Sequence, residues 1–71
     1  DAGEAWKLLA KIPSPTLLVR GSESDILAPE TAARMVREIP DCTLVEVPEA
    51  GHSVPLDNPP GFLAAVSRWL G

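Results

Sequence analysis

The sequence has one cysteine, Cys42, one histidine, His52, and no tyrosine. A single thiol cannot close an internal disulfide, so no covalent staple holds the chain. One Cys and one His also exclude the ligand clusters of a structural zinc site. Basic residues are few: six Lys and Arg stand against ten Asp and Glu, a formal net charge of −4. Nucleic acid and anionic membrane surfaces call for a basic patch, so neither is an expected partner. No apolar run approaches the roughly 20 residues of a membrane span, and no stretch has the make-up of a signal peptide. The unpaired cysteine leans toward a reducing compartment, which makes a cytoplasmic location the expectation.

What is present is a chain of 71 residues with 45% hydrophobic content. A domain of that size buries only about 60% of its unfolded surface and is marginal without a staple. The apolar residues are plentiful, and the elements available to cover them are few. The expectation is a piece of a larger fold, or a chain that completes its core by association. The first residue is Asp1 rather than Met, which also points to a longer polypeptide.

Residues 2–11 read as a helix, with Ala5, Leu8, Leu9 and Ile12 at the spacing of one helical face. Pro13-Ser14-Pro15 ends it, because proline cannot continue a helix and drives its predecessor toward extended geometry. Thr16 to Arg20 is an apolar run without alternation, the pattern of a strand buried on both faces of a parallel sheet. Residues 21–27 are a polar loop. Pro29 and Glu30 suit a first helical turn, and Ala32, Met35, Val36 and Ile39 continue one stripe, with Arg34, Arg37 and Glu38 toward water. Pro40-Asp41 stops that helix. Thr43 to Val47 reads as a second strand and residues 48–57 as an irregular loop. Asn58 is a good N-cap and Pro59 a good first-turn residue. A last helix over about 60–70 places Phe62, Leu63, Val66, Trp69 and Leu70 on one side.

The order is α-β-α-β-α, an α/β chain without internal repeats. Residues 16–47 have the length of a βαβ unit, about 30 residues or more, so the two strands are expected to be parallel with a right-handed crossover. A sheet of two parallel strands has two open edges and is not expected to stand alone.

That topology brings two residues into view. Asp25 follows the first strand and His52 the second, so both loops leave the same carboxyl edge, where open α/β sheets place their sites. An Asp that accepts one imidazole N–H fixes the tautomer of the His. The other nitrogen is then free to act as a general base toward a hydroxyl or water. Each residue also has a plainer reading: Asp25 as a turn or cap ahead of the Pro29 helix, His52 as a loop residue capping the next turn. Glu23 is an alternative acid in the same loop. Glu49 is read as solvent-facing, Cys42 as inert, and Trp6 and Trp69 as packing residues. Gly21 and Gly51 are read as tight turns at strand ends, Asp57 and Asn58 as turn and cap residues.

Two stretches sharpen the reading. Pro15-Thr-Leu-Leu-Val-Arg-Gly-Ser-Glu-Ser-Asp25-Ile-Leu resembles the strand and acid-bearing loop of the α/β-hydrolase superfamily. Leu44-Val-Glu-Val-Pro-Glu-Ala-Gly51-His52-Ser-Val-Pro-Leu-Asp-Asn-Pro59 resembles that family's last strand, histidine loop and proline-opened final helix. The helix between them, from Glu30 to Val36, matches in place and length. The resemblance implies that residues 1–71 are the C-terminal segment of an α/β-hydrolase domain, with Asp25 as triad acid and His52 as triad base. It implies a small-molecule substrate and neither a metal nor an organic cofactor. The family's nucleophile sits on a Gly-x-Ser-x-Gly elbow upstream of these elements. No serine of this sequence has that setting, and the oxyanion-hole segment is missing too. The expectation is therefore a serine-type hydrolase segment that is inactive alone.

Two other readings remain open from the residues. A non-catalytic association module would use the open edges and uncovered helix faces to dimerise, or to pair with an N-terminal hydrolase segment. Half of a flavodoxin-like fold would make Asp25 a phosphoacceptor, with a metal and acidic neighbours, and would leave His52 without a role.

Overall fold

The computed structural model describes residues 2–71. Six elements follow in order: α1 (Ala2–Leu9), β1 (Thr16–Gly21), α2 (Pro29–Glu38), β2 (Cys42–Val47), α3 (Val54–Asp57) and α4 (Pro59–Leu70). The strands β1 and β2 form a parallel two-stranded sheet, in register from Thr16 opposite Cys42 to Gly21 opposite Val47. The expected α/β architecture is thus present, with α2 as the crossover. The loop over 48–57 is less irregular than its composition suggests. Its second half winds into the short α3, with Pro55 in the first turn where a missing N–H costs nothing.

Side chains alternate across a strand, so Val45 and Val47 share one face of β2 and Leu44 takes the other. On the Val45 side, Val47, Ala50, Val54 and Ala65 form the buried core, with Val19, Val45 and Phe62 packed against it. The helix α4 therefore closes that face through Ala65 and Phe62. Leu63 and Leu70, expected on its covered side, are exposed instead. The stripe of α2 behaves as its spacing predicts: Ala32 and Ile39 are buried, Met35 and Val36 half-buried. These two buried residues lie outside the α4-side core, so α2 covers a separate region of the sheet.

The helix α1 is shorter than predicted and docks differently. Ala5 and Leu8 of the predicted stripe are exposed. Leu9 and Ile12 of that stripe are half-buried, and the Trp6 ring carries the guanidinium of Arg34 at 3.9 Å from its centroid. An Arg over an indole face is held by the ring quadrupole, so Arg34 serves the α1–α2 junction rather than pointing only to water.

Among the described residues no helix is long and apolar enough to cross a membrane.

Candidate active site

The carboxyl ends of β1 and β2 carry the two loops of interest. They are stitched together by the backbone. The N–H of Ser22 donates to the carbonyl of Val47 at 2.9 Å, and that of Glu23 to the carbonyl of Ala50 at 2.9 Å. These bonds extend the parallel ladder past the last strand residues. The second bond joins Glu23 and Ala50, which stand two residues before Asp25 and His52 respectively. The close approach depends on Gly21: a Cβ there would fall on the carbonyl oxygens of Gly51 and Ala50. Only glycine lets the backbones come this near.

The acid loop is held from inside. Arg20, at the end of β1, is 5% exposed although it carries a charge. Its Nε donates to the carbonyl of Leu27 at 2.7 Å, and its Nη2 to the carbonyl of Ser24 at 3.3 Å. Its Nη1 meets Glu46 Oε2 at 2.7 Å, across the register from β1 to β2. The Ser24 hydroxyl oxygen accepts the Leu27 N–H at 3.1 Å. Asp25 and Ile26 therefore sit at the tip of a braced turn, and both are exposed. Asp25 does not cap α2, whose N-cap is Ala28.

The histidine loop is held from the following helices. Asp57 Oδ2 accepts the N–H of Gly51 at 2.9 Å. Asn58 acts twice: its Oδ1 accepts the N–H of Gly61 at 3.0 Å, capping α4, and its Nδ2 donates to the carbonyl of Pro48 at 2.8 Å. Glu49 takes a left-handed φ of 55° between those anchors. Ala50 turns inward to the core, and His52 turns out to solvent.

Asp25 and His52 thus lie on adjoining loops at one sheet edge. Among the described residues neither side chain makes a hydrogen bond or ion pair, with each other or with another group. Glu23 and Glu49 are exposed, and Glu23 engages the loops through its backbone. The described residues contain no cluster of His, Cys, Asp and Glu fit to hold a metal ion. Cys42 is half-buried; burial, then the neighbouring Asp41 carboxylate, push its thiol pKa up, away from nucleophile chemistry. A groove of about 570 Å³ lies between β2 and α4, lined by Val45, Val47, Arg68 and Trp69 among others, and includes neither Asp25 nor His52.

Sequence reasoning missed Arg20, Ser24 and the action of Asp57 on Gly51. The signal for Arg20 was available: a charge closing an otherwise apolar strand must find partners when buried. The bond from Gly51 to Asp57 had no local signal, because it depends on α3 folding back under the loop.

The comparisons with known proteins agree with this architecture. The alpha/beta hydrolase family matches the chain over residues 2–66, and the chain belongs to that family. A 3-hydroxybutyrate-oligomer hydrolase of Cupriavidus necator is 43% identical over 72 residues, covering 99% of this chain and 25% of that protein. A proline iminopeptidase of Levilactobacillus brevis is 32% identical over 62 residues, covering 87% of this chain and 20% of that protein. Among solved structures, a "predicted CIB-like hydrolase" of Thermoplasma acidophilum superposes with a TM-score of 0.87 at 24% identity, over 99% of this chain and 34% of that one. The chain spans a fifth to a third of the proteins it resembles.

Proposed function

We propose that residues 1–71 are the C-terminal part of a single α/β-hydrolase domain and supply its acid–base pair, Asp25 and His52. The observation that carries this reading is the backbone stitching of their loops at one sheet edge, Glu23 N–H to Ala50 carbonyl. In this role Asp25 accepts one imidazole N–H and holds the ring of His52 in one tautomer. The other ring nitrogen takes the proton of a hydroxyl nucleophile as its oxygen bonds to the substrate carbonyl carbon. The same nitrogen returns that proton to the leaving group as the scissile bond breaks. Water then attacks the acyl intermediate, giving His52 a proton that passes to the regenerated nucleophile. The nucleophile and its oxyanion donors come from outside these residues, since no Gly-x-Ser-x-Gly occurs among them. The 71 residues alone then hydrolyse nothing, and a reducing compartment such as the cytoplasm suits the lone thiol.

The substrate is a small molecule with an acyl bond. The identity with the oligomer hydrolase makes short 3-hydroxybutyrate oligomers the first esters to try, and N-terminal proline amides the second. The test is ester turnover by the full polypeptide that carries this chain, with and without His52→Ala. Turnover removed by the substitution supports the reading; full turnover retained refutes it.

A second reading is association without catalysis. It is favoured by the exposed Leu8, Ile26, Leu56, Leu63 and Leu70 beside a sheet with two open edges. Sedimentation separates it: a self-associated 71-residue chain supports it, and a stable monomer does not.

A further inference from the structure

We infer that Arg20 is a positioning residue for the acid loop, setting where Asp25 stands relative to His52. The inference rests on the Asp25–His52 reading and names a residue that neither touches substrate nor has a counterpart role in that reading. A guanidinium that is almost wholly buried must satisfy its donors or leave its desolvation uncompensated. Here it does so with acceptors from three places. The carbonyls of Ser24 and Leu27 bracket Asp25 and Ile26, and the carboxylate of Glu46 belongs to the neighbouring strand. One rigid fork therefore ties both ends of the Asp25 turn to β2, the strand that leads into the histidine loop. A lysine has no such fork: it reaches Glu46 as a point charge but cannot also span both carbonyls. The Ser24 hydroxyl accepts the Leu27 N–H across the same turn, so loss of Arg20 leaves that bond as the described link between Ser24 and Leu27. Asp25 itself contributes nothing to this brace and stays exposed at its tip, available for a partner.

The test pairs amide hydrogen exchange with kinetics on the full polypeptide that carries this chain, comparing wild type, Arg20→Lys, Arg20→Met and Glu46→Gln. Loss of charge-assisted bonds predicts exchange over residues 22–28 that is roughly tenfold faster or more in Arg20→Met. Exchange over residues 59–70 stays as in wild type. Arg20→Lys restores only part of the protection. Ester turnover falls through kcat, with KM held within about twofold. Should Arg20→Met fail to fold, Glu46→Gln, at a half-exposed site, still loosens residues 22–28 to a smaller degree. Unchanged exchange there in every folded variant overturns the inference, and so does a loosened loop with kcat intact. Turnover that survives His52→Ala instead sinks the hydrolase reading, and the kinetic arm separates that failure from a failure of Arg20.

Discussion

The N–H of Glu23 reaches the carbonyl of Ala50 at 2.9 Å, so the loop after β1 and the loop after β2 share one hydrogen-bonded seam. Asp25 lies two residues beyond one end of that seam and His52 two beyond the other. The seam explains why two loops distant in sequence present Asp25 and His52 at one edge.

The seam needs Gly21 bare. In Gly21→Ala the new methyl meets the carbonyl oxygens of Gly51 and Ala50, both backbone and unable to rotate away. Overpacking costs typically ~1–3 kcal/mol, and the upper end is expected here. Urea unfolding monitored by tryptophan fluorescence would show the midpoint fall sharply, or no cooperative transition at all. A wild-type midpoint would contradict the close approach.

Asn58 caps α4 and ties Pro48 to it. Asn58→Ala removes both bonds and is expected to cost ~1–2 kcal/mol. Asn58→Asp keeps the acceptor for Gly61 and loses the donor to Pro48, so its cost should fall between wild type and alanine. Equal stability of the aspartate and alanine variants would show that the cap contributes nothing.

Asp57 holds the Ala50–Gly51 peptide, one residue ahead of His52, through the Gly51 N–H. If His52 is the base proposed above, Asp57→Ala is expected to lower kcat of the full polypeptide several-fold with little change in KM, because that residue loses orientation rather than substrate contacts. Asp57→Asn, whose amide oxygen can accept the same N–H, should recover most of the rate.

Cys42 provides a check on the electrostatics at the start of β2. Burial and Asp41 both raise its thiol pKa, so less thiolate is present at pH 8 than in a free thiol. Alkylation by iodoacetamide should run slower than for an unstructured cysteine peptide. Asp41→Asn should speed it, with the larger effect of burial left in place.

Much of this was legible in the residues. The run from Thr16 to Arg20, the Pro29 helix and the run from Thr43 to Val47 dictate a parallel pair, and that pairing alone puts Asp25 and His52 at one edge. Asn58-Pro59 announced the start of α4 correctly. The helix inside residues 48–57 was hidden, because four residues with a central proline leave no periodicity to read. The exposure of Leu63 and Leu70 was hidden for another reason. Helical spacing tells which side chains share a face, whereas coverage depends on how much neighbouring structure exists to lie on it. Arg20 looked like the polar end of a strand, and only the fold of residues 24–27 over it shows why it is buried.

The central claim is that Asp25 and His52 act as one unit, and a double-mutant cycle tests it most directly. Ester turnover would be measured for the full polypeptide carrying wild-type sequence, Asp25→Asn, His52→Ala and both. Residues that work as a unit give losses that do not multiply. The account predicts that each single substitution removes most of kcat and that the double variant is no slower than His52→Ala. Independent, multiplicative losses, or full activity in Asp25→Asn, would contradict it.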